Sequence, residues 1–336
     1  MGCRAVAGGV FCTAAGLVHM RPLLSMLSPG GLDGRLSILI FHRVLARRDP
    51  LFPGEVDVVR FDAICAWLKA WFNVLPLGDA VKRWRDRRLP SRAAAITFDD
   101  GYADNHDVAL PVLRRHGLTA TFFIATGFLD GGVMWNDEVI DAVRNTRRTC
   151  LDLRDIDGVH LGILALGSDE ARRSAIAKVL QAVKHLTVDG RRAAVAEVCE
   201  RADATAYRGE MMSSQQVLAL HRAGMQVGAH TVTHPILAGL EAASARAEMQ
   251  QGRRQLESLL QDRVGLFAYP NGRPGLDYSV ETVALARAVG FDAALTTSWG
   301  ATGPATDPFQ MPRFTPWNPG RWGFGLRLAR NLWQSR

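Results

Sequence analysis

The stretch from Ala93 to Tyr102, AAAITFDDGY, limits the fold more than any other part of the chain. A short apolar run with a β-branched residue and an aromatic reads as a buried strand. It stops at two adjacent carboxylates, Asp99 and Asp100, and then at Gly101. Where strands and helices alternate into an α/β barrel, the carboxyl ends of the strands form the active-site face, so acids placed there are candidates for chemistry. The same residues are also common turn and helix-capping material, and from this stretch alone both readings stand.

A second stretch bears on the choice. From Met225 the chain reads MQVGAHTVTHPIL, another short apolar run, ending on His230 and His234 with Pro235 behind them. Histidines four apart share one face of a helix and also converge from a tight turn after a strand. A lone histidine is ordinarily structural. Two at one strand end, in a chain with paired acids at another, supply a set of two histidines and one carboxylate that leaves coordination positions open for water and substrate.

The rest of the chain is organised around these runs. Leu36 to Phe41 (LSILIF) is expected as the first strand and ends on His42, which either points to the active-site rim or is a core histidine. Helices are expected at 62–72 and 76–88, before the Asp-Asp strand, and at 105–116 after it, with the third strand at 119–126. A mainly helical insertion follows over 130–212: helices at 136–147, 169–186 and 190–201, and a hairpin around Asp157 and Gly158. Such an insertion would shape a substrate groove. It begins MWNDE, placing Trp135 and Asp137 just past a strand; the tryptophan suits stacking on a sugar ring as well as packing of the inserted helices. Strand and helix then alternate again: helix 213–223, the histidine strand, helix 240–261, strand 264–270, helix 279–289, and strands at 293–297 and 311–316.

TFDDGY followed by HTVTHP resembles the polysaccharide deacetylase family, the NodB-homology domain of carbohydrate esterase family four, over roughly Ser37 to Pro316. The resemblance implies an irregular seven-stranded (β/α) barrel. It implies that Asp100, His230 and His234 bind one divalent metal, most plausibly zinc, and that Asp99 is the general base. The family's third motif appears here as FAYPNG, residues 267–272, which places the backbone amide of Asn271 where the oxyanion donor lies and brings Tyr269 in as a further substrate contact. Ala268 stands where the family has an arginine that orients the base; Arg313 on the last strand is the expected replacement and Arg273 a weaker one. No histidine follows His234, so the late histidine that protonates the leaving amine in many relatives is missing. His42 is the first candidate for that acid, Asp137 the second. The function implied is removal of N-acetyl groups from an amino-sugar polysaccharide or its lipid-linked precursor. A hydrolase of a small non-peptide amide on the same fold, and a carbohydrate-binding protein that has lost catalysis, are the alternatives.

Composition constrains partners more than fold. The formal net charge of +7 and pI near 9.5 come from scattered Arg-rich helical stretches, which suit a solvated surface or attraction to anionic polymers and membrane surfaces. No aromatic-interleaved basic motif argues for nucleic acid. Five cysteines without a C-x-x-C give no disulfide framework and favour a reducing compartment. The apolar run from Ala5 to Val18 is long enough for a signal-peptide core and short for a membrane span. With one arginine before it and no clear cleavage site, a membrane-touching or disordered leader over residues 1–35 fits better. The segment 319–336, with four arginines among Phe, Leu and Trp and no acid, reads as a basic amphipathic tail, either packed or lying on a membrane surface. The expected location is cytoplasmic or peripheral to the inner face of the membrane.

Overall fold

A computed structural model describes residues 20–205, 209–316 and 320–335, so the apolar run before Val18 lies outside the described residues. The strands are β1 (Leu36–Phe41), β2 (Asn73–Val74), β3 (Ala93–Phe98), β4 (Thr121–Ile124), β7 (Gln226–Ala229), β8 (Leu266–Ala268), β9 (Ala293–Trp299) and β10 (Met311–Arg313). They form one sheet in the order β1-β3-β4-β7-β8-β9-β10, with the two-residue β2 set beside β3. Every ladder in it is parallel. Phe314, just past β10, donates its N–H to Ile38 and accepts from Ile40, which joins the last strand to the first. The result is the near-closed barrel of seven strands that the sequence predicts. The extra β2 was too short to carry a periodic signal.

Side-chain alternation divides each strand between two cores. Leu36, Ile38, Ala93, Ala95, Phe123, Leu266, Ala268, Ala293, Leu295 and Met311 meet inside the barrel. Their neighbours Leu39, Phe41, Ala94, Ile96, Phe98, Phe122, Phe267 and Ala294 face the outer helices. Gly228 in β7 is needed opposite Phe123, because a Cβ there would lie 2.4 Å from the phenyl ring. The outer layer comprises α2 (Val58–Trp71), α4 (Leu110–His116), α8 (Ser214–Arg222), α9 (Ala242–Leu260) and α10 (Val280–Val289), preceded by α1 (Met20–Leu27), while α3 (Leu77–Arg85) packs Leu77, Ala80 and Val81 into the interior cluster. Their ends follow capping chemistry: Ser213 makes a capping box with Gln216 ahead of α8, and Gly117 closes α4 in the left-handed region.

Between β4 and α8 stands the insertion: α5 (Trp135–Asn145), the antiparallel pair β5 (Cys150–Asp152) and β6 (Ile163–Ala165), α6 (Asp169–Val183) and α7 (Val188–Arg201). It has its own apolar core around Val139, Leu151, Ile176, Val179 and Val198. The final helix, α11 (Arg321–Gln334), buries Phe324, Leu328 and Leu332 in the core shared with Met20 and Leu24 of α1. Its other face exposes Trp322, Leu326, Arg330 and Trp333.

Candidate active site

The alternation that sends Ala93 and Ala95 into the barrel also sends Thr97 and Asp99 inward, at the carboxyl end of β3. From Leu36 and Ile38 it leads to His42, and from Met311 to Arg313. Asp99 and Arg313 are 2% and 1% exposed. Nη1 of Arg313 donates to Oδ1 of Asp99 and Nη2 to Oδ2, each at 2.7 Å. The Arg313 Nε donates to the Thr296 carbonyl at 2.7 Å, which fixes the plane of the fork. Burial pushes the Asp99 carboxyl up, but Arg313, with His230 adding to it, outweighs burial and holds it below the usual carboxylate range. Arg273 is not part of this pair; its Nε donates to Asp277 instead, at 3.3 Å.

Asp100 turns away from Asp99 because its backbone is left-handed, with φ 75°. Positive φ in a residue other than glycine is uncommon and clusters at functional sites. His234 and Asn271, which line the same cavity, and Thr231 next to His230 share it. Nε2 of His230 and Nε2 of His234 each lie 3.4 Å from Oδ1 of Asp100. That oxygen is buried and accepts no hydrogen bond among the described residues. Nδ1 of His230 lies 2.7 Å from the Ala268 carbonyl oxygen, which can only accept, so Nδ1 carries a proton and Nε2 is the atom turned toward Asp100. Burial lowers His234 to about 4, keeping its ring neutral as a ligand requires. One ligand atom from each of the three residues falls within 4.8 Å of the others. The convergent atoms and the unpartnered Asp100 oxygen fit a divalent cation with positions left open, and the neighbouring Asp100 and Asp99 carboxylates, which raise His230 against its burial, mark the spot as one that favours positive charge.

Asn271 lies on the wall of the same cavity, after β8. Its carbonyl accepts from Thr297 Oγ1 at 2.6 Å, and no acceptor among the described residues takes its N–H. Gly272 beside it has φ +70°, and a Cβ there would stand 2.9 Å from the Thr297 nitrogen, so this turn admits only glycine. Tyr269 does not join it. It has the alternation of Phe267, not of Ala268, so its ring is fully buried against Tyr278 and its hydroxyl donates to the Phe309 carbonyl. The expected substrate contact at Tyr269 is therefore corrected to a core residue.

Two cavities meet at His42, Asp100 and Asn136. One, of about 580 Å³, is lined by Asp99, His230, His234, Trp135, Asn271 and residues of the insertion. The other, of about 500 Å³, runs past Tyr102, Asp137, Phe52 and Arg144. His42 is exposed to both, and the Asn105 side chain holds its carbonyl at 2.8 Å. Asn105 opens a π-helical turn, Asn105–Ala109, where the sequence predicts plain α-helix. Asp137 is 8% exposed; Tyr102 donates to its Oδ1 at 3.2 Å, and its Oδ2 is buried with no partner among the described residues. Burial pushes its carboxyl up to about 7. Trp135 lines the larger cavity, with the Arg191 guanidinium 5.2 Å from its ring centre. Sequence reasoning missed Arg43, which lies over the Tyr102 ring and pairs with Asp104 and Glu210 to close the far side of the site. Its adjacency to His42 was the available signal.

A family model described as Polysaccharide deacetylase matches residues 86–147 and 167–294. The polysaccharide deacetylase homologue YxkH of Bacillus subtilis is 21% identical over 269 residues, 80% of this chain; the chain spans 66% of that relative's length. Among solved structures, the Streptococcus pyogenes deacetylase PplD in complex with acetate superposes with a TM-score of 0.60 at 17% identity, covering 89% of this chain and 99% of that one. IcaB from Ammonifex degensii gives 0.58 at 16% identity, covering 91% and 98%. At such identities the likeness establishes the fold. The family model reaches further, because its two matched segments span more than half of the chain and contain the Asp-Asp and His-x-x-x-His ends that converge here. Arg313, which pairs with Asp99, lies outside those segments. The chain belongs to the polysaccharide deacetylase family.

Proposed function

We propose that the protein hydrolyses the acetamide of an N-acetylated amino sugar, in a polysaccharide or its lipid-linked precursor. The observation that carries this reading is the buried Asp99–Arg313 pair directly beside Asp100, His230 and His234. A divalent cation held by those three residues, most plausibly zinc, would supply Lewis acidity toward the acetyl oxygen and toward a water. Asp99 takes the proton of the attacking water. Arg313 holds both carboxylate oxygens, yet each keeps a lone pair free for that proton. As oxygen adds to the carbonyl carbon, the Asn271 N–H donates to the oxyanion. The C–N bond then breaks, a proton passes from His42 to the departing amine, and acetate and a free amino sugar remain. His42 suits this step better than Asp137, because His42 opens to both cavities while the Asp137 carboxyl is enclosed beneath Tyr102. Acetate in the complex of the Streptococcus pyogenes relative is the product this reaction would release.

The long groove formed by two joined cavities supports a glycan over a small amide, which a closed pocket would suit. The intact base and ligands support catalysis over mere glycan binding. The reading also places the protein in the cytoplasm or on the inner face of the membrane, supported by the exposed thiol of Cys150 and by the tryptophan and arginine side chains on the outer face of α11.

The test is acetate release from N-acetylglucosamine oligomers and polymers by the purified protein, by Asp99→Asn and His42→Ala, and after chelation and restoration with zinc. Release should vanish in Asp99→Asn and on chelation, return with zinc, and fall steeply in His42→Ala while zinc stays bound. Bound metal with no release from any glycan would overturn the reading.

A further inference from the structure

The insertion gives the larger cavity a wall whose charge the hydrolytic chemistry does not use. Lys184 follows α6 and Arg191 lies in the first turns of α7; both line the cavity, as does Arg273 from the loop after β8. The acids lining the same cavity are Asp99, spent on Arg313, and Asp100, spent on the metal site. Behind the wall, Asp277 is fully buried and shared: Arg273 Nε stands 3.3 Å from one oxygen and Lys184 Nζ 3.9 Å from the other. The second oxygen has no hydrogen-bond partner among the described residues, so Lys184 meets it as a long ion pair and keeps its N–H donors for a ligand. Arg191 pairs with no carboxylate among the described residues. Its guanidinium stacks over Trp135 and donates to the Lys184 carbonyl at 3.3 Å. Burial lowers Lys184 against the opposing pull of Asp277, with Arg273 adding to burial, and burial lowers Arg191 as well.

The opposite arm is built differently. There Arg43 pairs with Asp104 and Glu210, and Arg144 with Asp49, while Glu55, Asp137 and Asp141 line the cavity with Arg47. One arm of the groove is thus compensated and the other carries excess positive charge against low-dielectric walls, which concentrate its field on whatever enters.

We infer that the Lys184–Arg191–Arg273 wall is a subsite for an oxyanion carried by the same glycan: a phosphate ester or a carboxylate next to the acetylated sugar. The inference rests on the deacetylase reading for the identity of that sugar. Three cations against one buried carboxylate leave the wall short of negative charge, and Arg191 presents a planar fork suited to either group. Stacking on Trp135 limits the motion of that fork. The asymmetry between the arms sets a direction: the anionic end of the substrate lies toward the insertion and the neutral end toward Phe52.

The test compares three probes on the full chain by calorimetry at low and high salt. They are a neutral N-acetylglucosamine tetramer, a hyaluronan tetramer whose charge is carboxylate, and an N-acetylglucosaminyl diphosphate bearing a short prenyl chain. At low salt at least one anionic probe should bind about tenfold more tightly than the neutral tetramer, a margin that shrinks as salt rises. Whichever probe shows it identifies the source of the oxyanion. In a Lys184→Gln/Arg191→Gln protein the ratio of anionic to neutral affinity should fall to near one, whereas Arg191→Lys alone should keep most of it. Equal binding of all three probes by the unaltered protein, or a ratio unchanged in the double variant, would overturn the subsite. Acetate release from each of the three probes is the separate readout: anionic preference without release from any of them sinks the deacetylase reading, and release without preference sinks only the subsite.

Discussion

At the scale of single residues, the pairing of Asp99 with Arg313 decides most. Both side chains are almost wholly buried, so removing the arginine strands a carboxylate rather than merely deleting a contact. Arg313→Met should therefore cost about 3–5 kcal/mol of stability. Arg313→Lys keeps the charge and loses the fork; the base is then held by one point contact, and kcat should drop on the order of 100-fold with a smaller loss of stability. Denaturant melts and acetate release on both variants check this, and a lysine variant with unaltered kcat would count against orientation by the fork. Asp137 gives a pH test. Its carboxyl titrates near 7 in the fold against an ordinary value of 3.8. The folded state therefore binds more protons than the unfolded chain between those values, and this contribution is full below about pH 4 and is lost as pH rises through 7. Asp137→Asn removes the titration. Its melting temperature should exceed that of the unaltered protein at pH 8, with the gap closing below pH 4; each pKa unit is worth about 1.4 kcal/mol. Much of this site was legible. Counting alternate residues up each strand brings His42, Asp99, His230 and Arg313 to one end of the interior, and the same count excludes Tyr269. Lys184 and Arg191 were not legible, because they sit where two inserted helices meet and no strand periodicity reaches them.

At the scale of elements, α9 is more than a barrel cover. Its Glu248 carboxylate accepts from the Val232 N–H at 2.8 Å, the Thr233 N–H at 2.9 Å and the Thr233 hydroxyl at 2.8 Å. This clamps the loop between His230 and His234 while Thr231 and His234 hold left-handed backbone angles. Glu248→Ala should free that loop and weaken zinc binding about 10- to 100-fold, read by competition with a chelating dye; unchanged affinity would show that the loop holds itself. The helices and the barrel strands lie close to where apolar spacing places them, because each has a buried face that repeats. The two-residue β2 and the π-helical turn at Asn105 escaped for the opposite reason: one is too short to repeat, and the other differs from an α-helix only in its hydrogen bonds.

For the whole molecule, the question is what the outer face of α11 meets. Trp322 is 53% exposed and Leu326 59%, one turn apart on a helix without an acid, and no helix among the described residues is long and apolar enough to cross a membrane. Sedimentation with vesicles containing anionic lipid should carry the protein down at low salt, and a Trp322→Ser/Leu326→Ser variant should stay in solution. Equal sedimentation of both would move the contact elsewhere. The barrel also has a history written into its closure. Asp99 enters the growing chain 214 residues before the arginine that neutralises it, and the last strand is hydrogen-bonded to the first. A nascent chain carrying both acids and both histidines still lacks the partner that lets Asp99 be buried. The polar centre therefore stays incomplete until β10 docks, because the partner of Asp99 arrives with the strand that also closes the barrel.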